Sequence, residues 1–310
     1  MGQAIVETIV IGAGPAGLTA ALYLARFHRD VLVLHDNKSR ALRIPLTHNA
    51  PGFPEGIDGP TLIARMTRHA TEYGARIEEA RVEQLRRIDR GYELTGADGQ
   101  AWRCRAVILA GGIFLNEVDL PPEVHEKAIE DAVLRYCPIC DAYEHSGHRI
   151  GVLGHDTNGA AEALFLRQYT DQITLLPLSH PELLDDQKRE LKEAGIALET
   201  GGLDRIEPTA DAISVSLDNG RRLTFDVIYP ALGCRPRTEL TAQLGLCLDS
   251  DGCLPYSHVG GGTLAGFFAA GDVVEGLDQI SVAMGHGALA ATRCHNWLRD
   301  QDHHSLQARP

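Results

Sequence analysis

The chain is short of several things at once. Of its 310 residues only 5% are aromatic, three are methionine and seven are cysteine. An odd, sparse cysteine count excludes a small secreted scaffold stapled by disulfides and fits a reducing compartment. Cys104, Cys234, Cys247, Cys253 and Cys294 stand alone in the sequence and are expected as buried thiols. Long apolar runs are missing too: stretches such as residues 8–11, extended back to Ile5, fall far short of the roughly 20 residues that span a bilayer, so no membrane partner is expected. The N-terminus enters a strand pattern almost at once, without the basic stretch, apolar segment and cleavage site of an export signal, and the expected location is the cytoplasm. Basic charge is scarce as well. Lys and Arg number 29 against 42 Asp and Glu, a formal net charge of −13, and no basic run marks a phosphate-backbone footprint, which argues against nucleic acid as a partner.

What is present is periodic order. The length suits two domains, each large enough for its own core. Residues 4–36 read as strand, glycine turn, alanine-rich helix (18–27) and second strand (31–34), one βαβ unit. A similar unit begins at Arg149, with strand 150–153, helix 160–167 and strand 173–176. Between them, residues 93–95 and 102–104 flank Asp98-Gly99 as a hairpin, and strand 106–110 ends in Gly111-Gly112. The second half repeats the pattern: 213–217, the turn Asn219-Gly220 and 223–229 form a second hairpin and strand. Residues 266–272 run from strand into turn, and a last helix over 280–298 returns to the first domain. The expected fold is α/β and three-layered, with two Rossmann-like nucleotide-binding domains. The second, residues 117–231, is inserted into the first, residues 1–116 and 232–310.

Two motifs carry chemistry. Gly12-Ala13-Gly14-Pro15-Ala16-Gly17 satisfies the GxGxxG fingerprint directly after a strand and at the opening of a helix. Gly12 permits the tight turn, Gly14 lets a pyrophosphate approach the backbone, and Gly17 lets helix and strand pack closely. Asp36, ending the second strand, stands where an acid accepts ribose hydroxyls. The second motif is Cys137-Pro138-Ile139-Cys140-Asp141. Two thiols three positions apart can close a disulfide within one helical turn, and Pro138 suits the first position of a helix, which makes Cys137 a candidate N-cap thiolate with a lowered pKa. A redox pair, a metal site and unpaired structural thiols are the alternatives. Metal is disfavoured because no second ligand pair stands at comparable spacing. Asp141 is a candidate proton shuttle beside the pair, or a solvated helix charge.

Together, GAGPAG at the start, CxxCD in the middle and Phe267-Phe268-Ala269-Ala270-Gly271-Asp272-Val273 near the end resemble the low-molecular-weight thioredoxin reductases, in their order and spacing and over nearly the whole chain. His48-Asn49-Ala50-Pro51-Gly52-Phe53-Pro54 resembles that family's flavin-side segment, and residues 107–112 its strand before the glycines. The resemblance implies a bound FAD, with Asn49 near the isoalloxazine, Asp272 on the ribityl chain, and Gln279 and Ile280 at the pyrimidine end. Pro15, Ala16, Val82, Ala110, Gly111 and Gly271 complete the expected cofactor-contacting set, and no metal is expected. It also implies that Cys140 lies nearest the flavin, that Cys137 attacks the substrate disulfide and that Asp141 gives the proton. A thioredoxin-like protein or a small disulfide or dithiol is the implied partner and a homodimer the implied assembly. Hinges are implied near 114–118 and 229–233.

The sequence departs from the family at its second nucleotide loop, Gly154-His155-Asp156-Thr157-Asn158-Gly159, where Asp156 replaces the glycine that faces pyrophosphate. After the following strand, Pro177-Leu178-Ser179-His180-Pro181-Glu182 lacks the arginines that grip a 2′-phosphate. NAD(P)H as donor is therefore uncertain, and three readings stand: a pyridine-nucleotide-dependent reductase, a relative served by ferredoxin or running backwards as an oxygen-dependent dithiol oxidase, and a flavin-binding module without turnover. The gliotoxin-type dithiol oxidases carry histidine after the second cysteine, so Asp141 favours the reductase. His286, between two glycines, is expected to face solvent or cap the last helix. The purified protein is expected to be yellow with stoichiometric FAD; a colourless preparation that takes up no FAD on reconstitution would contradict the cofactor.

Overall fold

Apolar residues run without alternation through the first strands, as parallel strands covered on both faces require. β1 (Val6–Ile11) and β2 (Val31–His35) pair in parallel, joined by α1 (Pro15–Arg26). After α2 (Gly59–Glu72), which Asp58 caps by accepting the Thr61 N–H at 2.8 Å, β3 (Arg76–Glu79) adds in parallel to β2. An antiparallel meander follows, β4 (Val82–Ile88), β5 (Gly91–Gly96) and β6 (Ala101–Leu109), and β6 returns beside β1. The computed structural model describes residues 5–154, 156–178 and 183–305.

The chain then passes through β7 (Ile113–Leu115), α3 (Pro122–Glu130) and α4 (Pro138–Asp141). A second parallel sheet follows from β8 (Ile150–Leu153), α5 (Thr157–Leu166), β9 (Ile173–Leu176), α6 (Asp185–Glu193) and β10 (Ala197–Leu198). β11 (Leu203–Pro208), β12 (Ile213–Leu217) and β13 (Arg222–Phe225) form a separate antiparallel sheet. β14 (Val227–Pro230) rejoins β8, giving the order β10-β9-β8-β14. β15 (Cys234–Pro236), α7 (Glu239–Ala242), β16 (Phe267–Ala269) and α8 (Ile280–Gln301) complete the chain.

The first sheet has seven strands, in the order β3-β2-β1-β6-β5-β4 with β16 also on β6. The length of β6 makes this possible: residues 101–104 pair with β5 and residues 107–109 with β16, while β1 lies along the other edge. The last helix α8 crosses α1 at Gly287, where an added Cβ would stand 3.1 Å from the Cβ of Thr19 and also meet the Ala16 backbone. The two crossings between the sheets, expected as separate hinges, pair with each other: β7 and β15 form a two-stranded antiparallel ribbon.

The hairpin and strand expected over 213–229 are β12 with β13 and then β14; between β13 and β14 the Asp226 carboxylate accepts the Arg149 backbone N–H at 2.8 Å and its Nη2 at 2.6 Å. Two expectations need correction. The meander has an additional strand, β4, which its charged outer residues hid. Of the five lone cysteines only Cys104 and Cys294 are buried, because they sit on β6 and α8 in the core; Cys234 and Cys247 are exposed and Cys253 is partly so.

Tyr92, 1% exposed, closes the core where β5 faces the approach to β16, its hydroxyl donating to the Ala265 carbonyl at 2.7 Å. Burial pushes its pKa up to about 12. Tyr92→Phe leaves that carbonyl without its partner and is expected to cost roughly 1 kcal/mol, read as a lower urea midpoint at unchanged slope.

Candidate functional site

The glycine turn between β1 and α1 is built as the fingerprint demands. Gly12 has φ 110°, a left-handed conformation that side chains resist. Gly14, extended, caps α1 with no side-chain hydrogen bond, and Pro15 follows at the first helical position, where its missing N–H costs nothing. The first-turn N–H groups of α1 are thus left for a ligand. Gly17 does not line the cavity: a Cβ there would strike the Gly12 carbonyl, so its role is close packing.

An open cavity lies in front of this turn. Gly12, Gly14, Pro15 and Ala16 form one wall, Ala110 and Gly111 another, and Asp36 one end; Gly271, Asp272, Gln279 and Ile280 line the rest. Val82 lies outside it, in an adjoining cleft shared with Gly12, Asp36 and Gly111. Asn49 also lies outside it, in the pocket of the cysteine pair.

Sequence reasoning missed two arginines here. Arg237 pairs with Asp36, and its guanidinium lies 4.7 Å from the Phe114 ring centre. Against the upward push of burial, Arg237 and the Lys38 N–H hold the Asp36 carboxyl below the ordinary range. Arg40 pairs with Asp272 at 2.9 Å and donates to the Asp278 carbonyl at 3.2 Å. Burial nonetheless raises Asp272, and it raises Asp278, beside it, to about 6. Nothing in the spacing of the sequence could have found these arginines: their partners are 201 and 232 residues away.

Cys137 and Cys140 are joined in a disulfide, with Cα atoms 5.3 Å apart. Cys137 is the N-cap of α4, with Pro138 at the first position. The pair faces Gln279, whose side-chain nitrogen lies 3.5 Å from each sulfur. The oxygen of that amide accepts from Asn49 Nδ2 at 2.9 Å, and Asn49 also donates to the Ile139 carbonyl at 3.3 Å. A second cavity opens at the disulfide. Arg40, Ile44, Gln279 and Ile280 line both cavities, so the cavities of the cysteine pair and of the glycine turn adjoin.

Asp141 is buried, with one oxygen on Arg135 Nε and the other accepting the Tyr229 hydroxyl at 2.7 Å. Burial, and then Asp141, push the Tyr229 pKa strongly up. His286 is half-buried and does not cap: α8 is capped at Gln279, and the histidine ring packs edge-on against Tyr256 with its Nδ1 buried and unpartnered. Among the described residues no three His, Cys, Asp or Glu side chains are placed to hold a metal, and no helix is long and apolar enough to cross a membrane.

A family model described as pyridine nucleotide-disulphide oxidoreductase matches residues 6–287. The bifunctional thioredoxin reductase/thioredoxin of Mycobacterium leprae is 30% identical, over 96% of this chain and 67% of that protein. The thioredoxin reductase of Mycolicibacterium smegmatis is 29% identical, over 97% and 99%. Among solved structures, that of HlmI superposes with a TM-score of 0.88 at 27% identity, covering 97% of this chain and 94% of that one. The thioredoxin reductase of Streptococcus pyogenes has the same fold, with a TM-score of 0.88 at 22% identity over 96% and 100%.

Two outcomes follow from the site's geometry. Titration of the unfolded protein should find two more thiols after mild reduction than before it; an equal count would show the pair to be free thiols. Arg135→Met strands a buried carboxylate, since the side chains of the pair are only 11% and 9% exposed, and is expected to destabilise by about 3 kcal/mol. Arg135→Met combined with Asp141→Leu should recover much of that loss in chemical denaturation.

Proposed function

Since the chain belongs to the pyridine nucleotide-disulphide oxidoreductase family, we propose that it passes two electrons through Cys137 and Cys140 to a thioredoxin-like protein or a small disulfide. It is an FAD-dependent disulfide oxidoreductase of the thioredoxin reductase type, and its redox-active pair is Cys137 and Cys140. One observation supports the route above all others: the disulfide and the glycine turn open on adjoining cavities that share Gln279, whose amide touches both sulfurs.

The first cavity fits FAD. The uncapped start of α1 and the cations Arg40 and Arg237 suit a pyrophosphate, Asp36 suits a ribose, and Asp272, Gln279 and Ile280 lie toward the disulfide. Bound there, FAD supplies a two-electron store. The chain's own groups do the rest. In the reduced pair the Cys137 thiolate attacks the substrate disulfide, forming a mixed disulfide and releasing one substrate thiolate. Cys140 then displaces the second thiolate and closes the Cys137–Cys140 bond, so the substrate is reduced and the pair oxidised. Each released thiolate takes a proton, and Asp141 is the proposed donor, a role in which Arg135 must yield an oxygen. Ile139 and Tyr143, 48% and 79% exposed beside the pair, offer apolar surface to a protein partner. The same reading makes the protein a cytoplasmic homodimer, with residues 117–231 as the inserted domain.

The test bypasses the physiological donor. Anaerobic holoprotein reduced with one equivalent of dithionite is mixed with oxidised thioredoxin, and flavin absorbance and new thiols are followed together. The parent protein is expected to yield two thiols per flavin reoxidised. Cys137→Ser and Cys140→Ser, with full FAD content, should each be slower by about 10³-fold or more. Serine variants that transfer electrons at the parent rate would sink the assignment.

A further inference from the structure

The family uses a pyridine nucleotide as well as FAD, and the second parallel sheet supplies the matching turn, from β8 into α5. That turn keeps the packing of a dinucleotide loop: a Cβ on Gly154 would lie 3.1 Å from Gly159 Cα, so only glycine at both positions allows the approach. It also keeps the backbone of the helix start. Asp156, the N-cap of α5, is extended with ψ −173°, as Gly14 is at the start of α1 with ψ −175°.

The two helix starts differ in what satisfies their N–H groups. Gly14 leaves them open, whereas the Asp156 carboxylate accepts the Asn158 N–H at 3.0 Å and the Gly159 N–H at 3.1 Å. We propose that Asp156 occupies the seat of the pyrophosphate with the protein's own anion, and is thereby a specificity-determining residue that excludes pyridine dinucleotides from this site. A phosphate arriving here meets a negative charge where the helix end would otherwise attract it, and finds two of its donors taken. Glu162 faces the same region, where burial and then Asp156 raise it to about 7. Residues 177–182 contain no lysine or arginine to meet a 2′-phosphate, although residues 179–182 lie outside the described structure. Electrons therefore reach the flavin from a reductant that does not seat a phosphate on α5.

The inference rests on the family reading of this loop and not on which disulfide is reduced. Calorimetric titration of NADPH and of NADH into oxidised holoprotein is the test, with Asp156→Gly and Asp156→Asn as variants. Asp156→Gly opens the seat and leaves a residue that helix starts tolerate well at the N-cap. It is expected to bind NADPH at least about tenfold more tightly than the parent, and the parent should bind NADPH no better than NADH. A parent protein with micromolar affinity for NADPH, or an Asp156→Gly variant no tighter than the parent, overturns the proposal. Should Asp156→Gly fail to fold, Asp156→Asn, which keeps the cap and removes the charge, must bind more tightly than the parent, and equal binding overturns it as well. Dithionite-driven thioredoxin reduction by the same parent sample separates the two readings: its absence removes the disulfide oxidoreductase function, whereas its presence alongside tight NADPH binding removes only the role of Asp156.

Discussion

The side-chain amide of Gln279 meets sulfur atoms 142 and 139 residues earlier in the chain and an asparagine 230 residues earlier. Without it, the glycine turn and the cysteine pair would be two unrelated features of two sheets. The contact is polar and small, and a net hydrogen bond of this kind contributes about 1 kcal/mol. Its neighbours are of the same character: His48 Nδ1 lies 3.0 Å from a Glu144 carboxylate oxygen, and Arg43 with Glu126 at 2.7 Å is a partly exposed ion pair, worth about 1 kcal/mol or less. The apolar clusters under the two parallel sheets, by contrast, are separate. The disulfide is thus positioned by polar contacts that can be made and broken, not by shared hydrophobic burial.

Charge inside the cofactor cavity runs against the charge of the whole. The chain is strongly acidic, yet Arg40 and Arg237 both reach into the cavity, held by Asp272 and Asp36. A carboxylate that holds a guanidinium in place also moderates its field, so an anionic ligand meets fixed but partly compensated cations. Such a site selects by geometry as well as by net attraction.

Legibility in the sequence followed the range of the interactions. GAGPAG and CPICD were readable because the turn, the helix start and the disulfide are each fixed within six residues, and the structure places both where their spacing implied. The repetition of βαβ units was readable for the same reason. Arg40 and Arg237 were not, since an ion pair across more than 200 residues leaves no periodic trace. Cys234, Cys247 and Cys253 were misjudged because thiol burial depends on tertiary neighbours: the first sits on the connecting ribbon and the other two follow α7.

That ribbon, β7 against β15, carries the chain out of the first sheet and back again side by side. Asn116 adds to the binding between its two plies, donating from its side chain to the Leu232 carbonyl at 2.9 Å and from its backbone to that of Gly233 at 3.1 Å. Outgoing and returning chain are thus yoked in register, and a shift of either ply drags the other with it.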